Sequence, residues 1–86
     1  MPEVSRFYGL VIKIFYDDHN PPHFHVEYGE YEVLVAINTL AIMSGRLPAR
    51  ALGMATEWAS LHQRELRDAW DRAKQLLPPG QIDPLP

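Results

Sequence analysis

The chain has no cysteine. That excludes a disulfide framework, a thiolate zinc site and a thiol nucleophile. It is also poor in positive charge: eight Lys and Arg stand against eleven Asp and Glu, for a net charge of −3. A dedicated nucleic-acid binder usually carries a basic surface, so this balance argues mildly against one. Arg46, Arg50, Arg64, Arg67, Arg72 and Lys74 nevertheless gather in the C-terminal half. No apolar run is long enough to span a bilayer. The start, MPEVSRFYGL, lacks the basic and apolar regions of a secretory signal. These absences set the expectation of a cytoplasmic protein without a membrane role.

What is present suits one small domain over residues 1–86, 47% hydrophobic with two Trp, four Tyr and three Phe. A domain of this size has little core to spare, so the core must be dense or completed by a partner.

FYGLVIKIFY, residues 7–16, is aromatic and β-branched with Lys13 its only charge, and reads as a buried strand with Gly9 marking a bulge or a close backbone approach. Two prolines then stiffen a turn. HFHVEY (23–28) and YEVLVAI (31–37) alternate strictly, and Gly29-Glu30 between them suits a type II′ hairpin. That turn pairs Tyr28 with Tyr31, Val26 with Val33 and Phe24 with Val35 on an apolar face. The other face receives His23, His25 and Glu27, the last opposite Glu32. Sliding the pairing by one residue would mix the faces, so the register is well specified. The facing glutamates call for a cation, and Lys13 and Arg6 are the candidates.

LAIM (40–43) reads as a short edge strand ended by Ser44-Gly45, and Pro48 opens a helical pattern to about Gln75. A helix over 48–75 would be roughly 40 Å long, more than so small a sheet requires. Either it breaks near His62–Gln63 or its far end, with Trp70, meets a partner or a second copy. Residues 76–86 form an extended Pro-rich tail pinned by Ile82 and Leu85. The expected fold is α+β: a three- to four-stranded antiparallel sheet packed on a long C-terminal helix, or on that helix broken into two.

The chemistry concentrates in DHNPPHFHVEY (18–28), with three of the four histidines in seven residues. Three readings follow. In the first, His19, His23 and His25, with Asp18 and Glu27, hold zinc or another transition metal, since imidazole and carboxylate suit such ions. In the second, His23, His25 and His19 act as acid and base, with Arg6 or Lys13 the cation for a phosphate, as metal-free RNA cleavage requires. In the third, the histidines are solvent-facing residues of a strand and turn, and the chain is a non-enzymatic adaptor. His62 reads as a half-buried packing residue of the helix.

The segments MPEVSRFYGLVIKIFYDDHNPPHFHVEYGEY, LPARAL, EWASLHQREL and IDPLP resemble a family of small bacterial proteins catalogued as a domain of unknown function. The resemblance covers nearly the whole chain. Its motif falls on Arg6, Phe7, Gly9, Asp18, His19, Pro21, Pro22, His23, Phe24, His25 and Tyr28. Members are often encoded beside a second small protein, an arrangement similar to toxin–antitoxin gene pairs. The resemblance therefore implies a toxin-like component, with a neighbouring gene's product as partner, acting on RNA or translation through the histidine face.

Overall fold

The computed structural model describes residues 3–86. Five strands form one antiparallel meander in sequence order: β1 (Glu3–Phe7), β2 (Leu10–Lys13), β3 (His23–Tyr28), β4 (Tyr31–Ala36) and β5 (Ile42–Arg46). Two helices follow, α1 (Ala49–Leu61) and α2 (Gln63–Lys74). The class is α+β as expected, with five strands in place of three or four.

The β3–β4 hairpin has the register read from its alternation. Tyr28 faces Tyr31, Val26 faces Val33, Phe24 faces Val35, and Glu27 faces Glu32. Of the two turn residues, only Gly29 has positive φ (57°), as the expected turn requires. Phe24, Val26, Val33 and Val35 are fully buried.

The aromatic run 7–16 is not one strand. It bends back on itself at Tyr8-Gly9, where φ is 48° and 84°, and Phe7 pairs with Leu10. Gly9 is a turn residue, not a bulge, and the first strand begins at Glu3. The edge strand also runs later than LAIM. Ser44 and Gly45 lie inside β5, because Gly45 (φ 80°) lets its backbone close on β4: a methyl there would stand 2.1 Å from the Glu32 carbonyl oxygen.

The helical pattern breaks at His62, whose N–H turns back to the Ala59 carbonyl. No proline or glycine causes this break. Pro48 takes the cap position of α1, one residue before the helix proper. Ala51, Ala55 and Ala59 let α1 approach the sheet closely, and Trp58 fills the space between them against Phe7 and Phe24. Fully burying one such aromatic stabilises by about 1.5–3 kcal/mol.

The break turns α2 across one end of the sheet. Gln63 Nε2 donates to the Ile37 carbonyl, Arg67 to Asn38 Oδ1, and Lys74 Nζ to the Asp18 carbonyl. Trp70 is 4% exposed and so belongs to the interior. The overlong single helix with a free tryptophan is thereby replaced by two helices that spend their apolar faces on their own sheet. Beyond α2, Leu77 N–H reaches back to the Arg72 carbonyl across Leu76, and two prolines follow. The tail then seals the β1 edge: Ile82 N–H donates to the Val4 carbonyl, and Asp83 O accepts from Trp58 Nε1.

Two glycine substitutions test this packing. Gly45→Ala collides with β4 backbone in a left-handed conformation and is expected to cost about 2 kcal/mol or more. Gly53→Ala, on α1 with nothing within 4 Å, is expected to stabilise by roughly 0.5–1 kcal/mol. Urea denaturation of both variants reads the contrast.

Candidate metal centre

The strand period sends His23, His25 and Glu27 to the face away from Phe24 and Val26. That face is not uniformly open. At the His23 end α2 folds over it, and Trp70 lies 5.2 Å from the His23 ring, which leaves His23 only 5% exposed. His23 is therefore not the solvent-facing residue that the strand alternation alone implies, because its cover comes from a helix distant in sequence. His25 is partly covered by Phe15, edge-on at 4.5 Å.

Asp18, on the β2–β3 loop, supplies the point of convergence. Its Oδ2 lies 2.9 Å from His25 Nε2 and 3.3 Å from His23 Nε2. One donor atom from each of Asp18, His23 and His25 falls within 4.8 Å of the others. Two imidazoles two residues apart on a strand project side by side, and the rings stand 5.2 Å apart. The loop closes the triangle, held from below by Lys74 on the Asp18 carbonyl.

The far nitrogens are held as well. His23 Nδ1 lies 2.9 Å from the Pro21 carbonyl oxygen, and His25 Nδ1 lies 3.3 Å from Glu32 Oε2. A carbonyl only accepts, and an ionised carboxylate only accepts. Both Nδ1 atoms therefore carry protons, and both Nε2 atoms are aimed at a shared carboxylate oxygen. The Asp18 oxygen accepts from an Nε2 that carries a proton, and an Nε2 that carries none offers its lone pair to an ion at the same point.

Other residues named from the sequence lie elsewhere. His19 is exposed on the loop and falls outside the convergent group. Glu27 pairs with Lys13 at 3.0 Å from the neighbouring β2, on the side of β3 away from Glu32, so Lys13 does not stand between the two strand carboxylates. Arg6 is held by Glu3 at 2.8 Å; that hydrogen bond lowers the Glu3 carboxyl below its ordinary range and raises the arginine. His62 is half-buried beside Trp58 and bonded to Glu65. Three participants went unread in the sequence: Glu32 as a partner of His25, Trp70 as the cover of His23, and Lys74 as the support of Asp18. The Glu32 role was implicit in the hairpin register, which places Glu32 diagonally beside His25.

Nitrogen-15 NMR of neutral, metal-free protein tests the assigned protons. His23 is expected to keep its proton on Nδ1 throughout, in slow exchange beneath Trp70. A neutral His23 with its proton on Nε2 would contradict the assignment.

A search of the curated proteins and of the solved structures finds no match to this chain. One family model does match, over residues 9–71, which takes in the turn at Gly9, the convergent Asp18, His23 and His25, and α2 as far as Asp71. With most of its length so matched, the chain belongs to the family described as Domain of unknown function (DUF4160).

Proposed function

We propose that this chain is a transition-metal-binding module whose ion is held by Asp18 Oδ2, His23 Nε2 and His25 Nε2. The observation that supports this best is the orientation of the two imidazoles: each has its Nδ1 against an acceptor, the Pro21 carbonyl or Glu32, and turns its Nε2 to the same carboxylate oxygen. Metal-ligating histidines are held in this way, with the distal nitrogen donating to a carbonyl or carboxylate. The spacing also suits an ion. Tetrahedral zinc with bonds of about 2.0–2.1 Å separates its ligand atoms by about 3.3 Å; Asp18 Oδ2 stands 3.3 and 2.9 Å from the two nitrogens, and all three atoms lie within 4.8 Å of one another.

Two nitrogens and one oxygen suit Zn, Ni, Cu or Fe better than Mg or Ca. Three protein donors leave a coordination position open, the pattern of reactive rather than purely structural zinc sites. An ion there would supply an activated water. His19, one residue from Asp18, and Glu27, two residues from His25, extend the ligand set in the sequence reading. Here they are proposed to lie outside it, since His19 is exposed and Glu27 is engaged by Lys13.

The toxin-like reading, with His23 and His25 as acid and base on RNA, draws less support. It needs a cation beside the histidines for the phosphate; Arg6 is tied to Glu3, and Lys13, cross-strand from His25, is tied to Glu27. It also needs both rings to reach substrate, while His23 lies under Trp70.

Calorimetric titration of zinc into protein purified without a histidine tag tests the metal reading. One ion per chain is expected, with a rise in melting temperature that saturates at one equivalent. Asp18→Asn and His25→Ala are expected to weaken binding at least a hundredfold. Glu32→Gln should weaken it by about 10–100-fold, as loss of an outer-shell partner does, and His19→Ala should leave it unchanged. Absence of binding to zinc, nickel, copper and ferrous iron alike would refute the reading.

A further inference from the structure

α2 meets the proposed metal centre twice, through two residues one helical turn apart. Trp70 lies 5.2 Å from the His23 ring, and the Lys74 ammonium donates to the Asp18 carbonyl oxygen at 2.9 Å. Residues four apart share a helix face, and Lys74 lies over the Trp70 ring at 5.6 Å. One face at the end of α2 therefore holds a ligand of the strand and a ligand of the loop.

Folding alone does not call for the Lys74 contact. Leu66, Ala69 and Ala73 already give α2 an apolar stripe toward the interior. Lys74 is exposed, and an exposed lysine ordinarily keeps its ammonium in water. Among the described residues it forms no ion pair; its hydrogen bond goes to the loop backbone. That loop has little packing of its own. From Tyr16 to Pro21 every residue except Asp18 is exposed. A ligand on such a segment must be ordered when an ion binds, at a cost in affinity, unless something outside the site already holds it.

We propose that ion occupancy and the docking of the end of α2 are coupled through Trp70 and Lys74, which makes α2 a metal-responsive element. The inference rests on the metal reading above. An ion would join Asp18 to His23 through their side chains. α2 joins the same two residues through the Asp18 backbone and the His23 ring. What one bridge has ordered, the other need not order again. The effect is reciprocal: the factor by which docked α2 strengthens ion binding is the factor by which the ion strengthens docking. Trp70 and Lys74 are positioning residues in this scheme, acting through the ligands they touch.

Zinc titration and hydrogen exchange of the full chain test the coupling. Lys74→Ala, at an exposed position, is expected to fold and to bind one zinc at least about fivefold more weakly than the wild type. Lys74→Arg keeps a donor and is expected to recover most of that loss. Arg67→Ala removes a contact of α2 that reaches no ligand, to Asn38 Oδ1, and should leave zinc affinity unchanged. In the wild type, saturating zinc is expected to raise amide protection in α2 about tenfold more than in α1. Equal gains in both helices, unchanged zinc affinity in Lys74→Ala, or equal weakening by Lys74→Ala and Arg67→Ala would each overturn the coupling and leave the metal reading standing. Wild-type protein that binds no zinc would overturn the coupling, and the metal reading with it once nickel, copper and ferrous iron also fail to bind.

Discussion

The β3–β4 register is the constraint on which the rest of the molecule depends. It is fixed by strict alternation on both strands and by a two-residue turn that has its glycine at the left-handed position. A slip of one residue would exchange the faces of a strand. Phe24 and Val26 would leave the core, and His23 and His25 would enter it beneath Trp58. Because that slip is so costly, the two imidazoles are held side by side on the outer face by the same energy that builds the core. The site is thus placed by packing, and its polar contacts refine a position already determined.

The helices then make the two sheet faces unequal. α1 uses small residues to bring Trp58 close to the sheet. α2, turned at His62, covers only the end where β3 begins. One histidine of the pair is therefore buried against Trp70, and the other stays reachable beside Phe15 and Asp18. A site closed on one side and open on the other suits an ion that keeps an exchangeable ligand. Lys74, lying over Trp70 and bonded to the Asp18 carbonyl, ties the loop carboxylate to the same helix that covers His23.

Local signals in the sequence revealed the β3–β4 hairpin, its register, the outward row of His23, His25 and Glu27, and the nearness of Asp18. These follow from a period of two and one glycine. The signals failed where structure is non-local or chemically disguised. The β1–β2 turn was hidden because a tyrosine, not Asn or Asp, precedes Gly9, so an aromatic run read as one strand. The helix break, by contrast, falls at His62, as one of the two outcomes expected from the length of the pattern against the size of the sheet, although no proline or glycine marks it. The burial of His23 depends on Trp70, 47 positions later in the chain. His19 was grouped with the strand histidines on the strength of the intervening prolines, and the loop instead turns it to solvent while Asp18 faces inward.

X-ray absorption at the zinc edge of the loaded protein is the most direct test of the central claim. The account predicts two imidazole nitrogens at about 2.0–2.1 Å and carboxylate or water oxygen completing a four-coordinate shell, with the imidazole scattering halved in His25→Ala. A shell of oxygen alone, or one unchanged by that substitution, would contradict it.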